Sequence, residues 1–135
     1  MKQSDLQEVN DEVNALPYVS DAARYNAPDF WARVDSEGGD CEDFALAKLK
    51  RLIDRGWPIS RLRLACVYVE PAVQPPDNYH AVLWVQGINR KEYVLDNRWN
   101  HPCTLKELAR IGYTPDRIQQ VGGSGIWAEW RWEET

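Results

Sequence analysis

Along the first sixteen residues, Leu6, Val9, Val13 and Leu16 recur at helical spacing and stop before Pro17, which predicts an amphipathic helix over 5–16. Residues 18–39 are mixed, with Pro28 and a Gly38-Gly39 break, so a short helix or turn over 29–34 and then a loop are expected. From Cys41 to Arg55 the helical period returns. Ala45, Leu46, Leu49, Leu52 and Ile53 make one apolar stripe, Lys48, Lys50 and Arg51 take other faces, and Gly56 with Pro58 ends the element.

Beyond Pro58 the period changes to two. Residues 62–70, 79–87 and 91–99 are rich in β-branched and aromatic side chains and predict three strands. The segment with Pro71, Pro75, Pro76 and Asp77 predicts a loop, and Gly87-Ile88-Asn89-Arg90 a hairpin turn. Thr104 followed by Glu107 forms a capping box and predicts a short helix over 104–111. Alternating Trp130 and Trp132 predict a last strand whose tryptophans belong to the sheet core, with Gly122, Gly123 and Gly125 turning the chain into it. Helices first and an antiparallel sheet afterwards make an α+β fold.

Composition narrows the function. A chain of 135 residues buries roughly 68% of its unfolded surface, enough for one core, so one domain over 1–135 is expected. With 21 acidic against 16 basic residues and no basic run, the net charge of −5 gives no footprint for nucleic acid or an anionic membrane. Cys41, Cys66 and Cys103 lack the spacing of a zinc ribbon or disulfide framework. The polar N-terminus has no apolar leader core, so a soluble chain of a reducing, cytoplasmic compartment is expected.

The chemistry gathers at Gly38-Gly39-Asp40-Cys41-Glu42-Asp43. A cysteine in the first turn of a helix meets unpaired N–H groups and the positive end of the dipole, which favour the thiolate. His80 opens a strand, and a turn centred near Ile88 or Asn89 places Asp96 opposite it or one diagonal step away on the same sheet face. Cys41, His80 and Asp96 then read as nucleophile, base and orienting group. Asp40, Glu42 and Asp43 oppose the thiolate by like charge, so either they point away or a cation neutralises them; calcium suits such oxygen donors. Cys66 reads as core, Cys103 has no evident base nearby, and His101 reads as a turn residue.

These segments, GGDCEDFALAKLKRLIDRGWP, YHAVLWVQ and YVLDNRW, preceded by VNALPYVSD and DFW, resemble the bacterial transglutaminase-like cysteine proteinases, a branch of the papain-like superfamily. The resemblance implies a nucleophile helix packed on an antiparallel sheet, with Cys41 as nucleophile, His80 as base and Asp96 as orienting group. It also implies Trp31 as support for the substrate cleft or oxyanion site, and calcium on Asp40 and Glu42 as in some members. The implied reaction is peptide-bond hydrolysis in a protein or peptide substrate. Some relatives are periplasmic proteases that clip surface adhesins, whereas this compact, leaderless form resembles versions from phage or prophage regions. Three other readings keep the same fold: a transglutaminase or deamidase, a peptidoglycan amidohydrolase, and a catalytically inactive binding module.

Overall fold

A computed structural model of the chain describes residues 1–16, 41–70, 73, 78–120 and 126–132. Helix α1 spans Asp5–Asn14 and helix α2 Cys41–Asp54, close to the predicted bounds. A single 3₁₀ turn at Ile59–Arg61 leads into β1 (Leu62–Tyr68), followed by β2 (Tyr79–Gln86) and β3 (Glu92–Leu95). Strand β4 is only Cys103–Thr104, and α3 (Leu105–Arg110) follows it directly. Strands β5 (Thr114–Gln119) and β6 (Trp127–Glu129) complete the described elements. The expected helix over 29–34, the Gly122 to Gly125 turn, Trp31 and Asp40 lie outside the described residues.

All neighbouring strands are antiparallel, in the order β4-β3-β2-β1-β5-β6. Alternation along β1 and β2 divides the core between the two sheet faces. Leu62, Leu64, Leu83 and Val85 join Leu6, Val9, Val13, Phe44 and Leu52 under α1 and α2. Ala65, Val67, Val82, Trp84 and Val94 join Leu108, Tyr113 and Trp130 on the opposite face. Each fully enclosed Leu or Val in these clusters stabilises the fold by about 1.5–3 kcal/mol. The last strand ends at Glu129, before the alternating tryptophans that predicted it. Trp130 still joins the second cluster, and the half-buried Trp132 packs against it with the two rings edge-on at 5.4 Å.

The face buried by α2 differs from the predicted stripe. Phe44, Ala45, Ala47 and Leu52 are enclosed, Leu46 and Leu49 are half-buried, and Ile53 is exposed. Lys48, expected on a polar face, is fully enclosed. The cause is packing on two sides: α2 lies against β2 and also against α1, so its buried arc is wider than one stripe. In that seam Lys48 Nζ donates to Asn10 Oδ1 at 3.0 Å.

Two strands escape sequence reading. Strand β4 is too short to show a period. β5, with the sequence TPDRIQ, contains a proline and two charges and carries no strand signal. Its pairing with β1 shifts register between Cys66 and Val67, which skips Asp116 and lets that carboxylate accept a hydrogen bond from the Tyr79 hydroxyl at 2.6 Å.

Candidate active site

Cys41 is the first residue of α2 and is partly accessible, whereas Cys66 and Cys103 are buried. Its Sγ accepts a contact from the Ala81 N–H at 3.5 Å, which ties the start of α2 to the start of β2. His80 precedes Ala81. Nearly all of its ring is shielded, and Nε2 meets Asp96 Oδ1 at 2.5 Å.

The hairpin between β2 and β3 sets this contact. Gly87 N–H donates to Lys91 O, Arg90 N–H donates to Gly87 O, and Arg90 adopts a left-handed φ of 66°. The turn is therefore centred on Asn89. Trp84 pairs with Val94 and Leu83 with Leu95, so continuing the register sets Asp96 against Val82, one diagonal step from His80. Of the two geometries expected from the sequence, the diagonal one is realised.

Asp96 is held on every side. Besides His80, its Oδ1 accepts the Arg98 backbone N–H at 2.9 Å, and its Oδ2 accepts the Tyr113 hydroxyl at 2.7 Å. Tyr113 in turn accepts from Arg98 Nη1 and Trp99 Nε1, while Arg98 forks onto Glu70. Behind the turn, Asn14 Nδ2 donates to the carbonyls of Asp96 and Trp99, and Asn10 Nδ2 to that of Trp99. Through Asn10 this network reaches Lys48, so α1 and α2 both brace the loop carrying the carboxylate.

Electrostatics follow from these contacts. Burial alone would lower the His80 pKa, but the Asp96 charge and hydrogen bond, with a further contribution from Cys41, outweigh it and raise it above its ordinary value. For Asp96, burial pushes upward, and the His80 charge and hydrogen bond, the Arg98 N–H and Tyr113 bring it below the usual carboxylate range. Burial lowers Lys48 to about 7, with Asp96 and Cys103 offsetting part of that. Burial, then Glu107 and Asp96, push the Cys103 thiol up to about 12, and burial raises Cys66 as well. Neither free thiol is suited to act as a nucleophile at neutral pH.

The structure thus brings Cys41, His80 and Asp96 to one place. Glu42 sits half-buried in the first turn of α2 and Asp43 is fully enclosed there. Sequence reasoning missed Tyr113, Arg98, Asn10, Asn14 and Lys48, whose roles depend on contacts between elements far apart in the chain. It also missed that Cys103 has an imidazole beside it, since His101 Nε2 lies 3.7 Å from its sulfur.

A model of the family described as bacterial transglutaminase-like cysteine proteinase matches residues 1–133. Calcium-bound LapG of Legionella pneumophila superposes with a TM-score of 0.69 at 23% identity, covering 93% of this chain and 70% of that one. A second LapG structure gives 0.69 at 26% identity, covering 91% and 66%. An EGTA-treated form gives 0.67 at 23%, covering 93% and 70%. No curated protein sequence matches.

Proposed function

The chain belongs to the bacterial transglutaminase-like cysteine proteinases, a papain-like α+β family of cysteine peptidases, and from that premise we propose that it hydrolyses a protein substrate through Cys41, His80 and Asp96. The observation that carries the reading is the buried His80–Asp96 contact of 2.5 Å, with the Cys41 sulfur on the adjoining Ala81 N–H.

In this mechanism the Cys41 thiolate attacks the scissile carbonyl carbon and forms the C–S bond, while the backbone N–H of Cys41 faces the developing oxyanion. The His80 imidazolium, oriented by Asp96, gives its proton to the leaving amine as the C–N bond breaks. A water then gives its proton to His80 and attacks the thioester carbon, breaking the C–S bond, releasing the acid and restoring the thiolate–imidazolium pair. The His80 charge and the three donors outweigh burial, so the Asp96 carboxylate stays ionised and aimed at Nε2, and its role is orientation and charge stabilisation.

Calcium fits the donor chemistry of the first turn of α2. Glu42, half-buried next to Cys41 in the first turn, offers hard carboxylate oxygens, and Asp40, outside the described residues, is the second expected ligand. When bound there, the ion supplies charge neutralisation beside Cys41.

The activity test is cleavage of casein and of a peptide library by wild type, Cys41→Ser, His80→Ala and Asp96→Asn. Loss of hydrolysis in the first two, with an acylated Cys41 seen by mass spectrometry in wild type, supports the reading. Hydrolysis that survives Cys41→Ser refutes it.

A further inference from the structure

At the β4 edge of the sheet, the end of the Asp96 loop, strand β4 and helix α3 bring a second set of reactive side chains together. His101 Nε2 lies 3.1 Å from Glu107 Oε2 and 3.7 Å from Cys103 Sγ. One donor atom from each residue falls within 4.8 Å of the other two.

The geometry does not suit a second catalytic triad. In a nucleophile–imidazole–carboxylate relay the two partners occupy opposite ring nitrogens. Here sulfur and carboxylate both face Nε2, while Nδ1 faces the Asn100 side-chain oxygen at 3.3 Å. Convergence of N, S and O on one point is the arrangement of metal ligands, with Asn100 fixing the ring from behind.

The separations agree with a small tetrahedral transition-metal site, of which zinc gives the reference lengths. Zinc bonds of about 2.0–2.1 Å to N, 2.3 Å to S and 2.0–2.2 Å to O give tetrahedral edges of about 3.6 Å for S···N and about 3.4 Å for N···O. The observed 3.7 and 3.1 Å lie within a few tenths of an ångström of those edges. The supports are already in place. Glu107 Oε1 is engaged by the Thr104 N–H and hydroxyl in the capping box, which leaves Oε2 for a ligand. The Cys103 backbone is fixed by β4 pairing with Val94. His101 and Glu107 are each 46% exposed, so an ion has an entry path and a fourth position for water.

We propose that His101, Cys103 and Glu107 bind a zinc-class divalent transition metal, three protein ligands and an open fourth position, at the junction of the Asp96 loop with β4 and α3. Binding displaces the proton of the Cys103 thiol to solvent and forms the metal–sulfur bond, with no change of oxidation state. The ion pins the connection that runs from Asp96 to the sheet edge.

Cobalt(II) is the probe, added to full-length Cys41→Ser protein so that the active-site thiol cannot contribute. One equivalent should produce a thiolate-to-cobalt charge-transfer band that zinc bleaches by displacement. Cys103→Ser should abolish the band, and His101→Gln should weaken binding at least tenfold. Glu107→Gln, which preserves the capping box, should weaken it too. His101→Gln changes an exposed side chain and decides the matter should Cys103→Ser fail to fold. Zinc should also raise the thermal midpoint of the Cys41→Ser protein and not that of its His101→Gln derivative. Absence of the band, or a band unaffected by His101→Gln, overturns the proposal.

Discussion

Replacing Lys48 by methionine removes a buried ammonium while keeping a chain of similar length, and the structure sets what should follow. The side chain is fully enclosed, its hydrogen-bond partner is the neutral Asn10 amide, and burial lowers its pKa from 10.5 to about 7. Between those values the unfolded chain binds more protons than the folded one, so this group makes stability rise with pH across the window. Below pH 7 the full penalty is present, about 1.4 kcal/mol per pH unit of the gap, or roughly 5 kcal/mol. His80 runs the other way. Its pKa is raised on folding, so its stabilisation is complete below 6.5 and is lost as pH climbs through the raised value. The two slopes oppose each other in wild type, and the difference between variant and wild type isolates Lys48. Urea unfolding at pH 6 and pH 9 should show the stability of Lys48→Met relative to wild type falling by roughly 2–3 kcal/mol over that interval. Losing the bond to Asn10 subtracts a pH-independent amount of about 1–3 kcal/mol and leaves the slope intact. Equal differences at the two pH values would mean that Lys48 stays charged in both states and would refute a pKa lowered by burial.

Other consequences concern the site itself. Asp96→Asn should lower kcat by up to about 10⁴-fold and bring the His80 ionisation down towards or below 6.5, read from the imidazole carbon-bound proton by NMR. Tyr113→Phe removes one donor from the Asp96 carboxylate; kcat should fall about tenfold, equivalent to about 1.4 kcal/mol, and the acid limb of the pH–rate profile should move upward. Saturating calcium should raise the thermal midpoint relative to EGTA, and Glu42→Gln should shrink that rise; identical midpoints would remove calcium from the account.

Legibility in the sequence followed the range of the interactions. Helix α2 and its Cys41 start were readable because the glycine pair, the acidic first turn and the apolar period all lie within one stretch of chain. The His80–Asp96 contact was readable because a short turn transmits register across only a few residues. Tyr113 was not, because its place depends on the chain passing through β4 and α3 before its hydroxyl returns to the loop of Asp96. Lys48 misled for a related reason: a second helix covers what would otherwise be the polar side of α2, and hydrophobic period alone carries no information about a neighbour 38 residues away. Strand β5 forms against its own composition, since pairing on both sides, with β1 and β6, supplies hydrogen bonds that intrinsic propensity does not.

The central claim is that Cys41 is activated by a neighbouring imidazole, and the most direct measurement is the site-resolved rate of alkylation by iodoacetamide at neutral pH. The account predicts that Cys41 reacts at least tenfold faster than Cys66 and Cys103, and that His80→Ala removes most of this advantage while the protein stays folded. Equal reactivity of the three cysteines in wild type, or a fast Cys41 indifferent to His80, would contradict it.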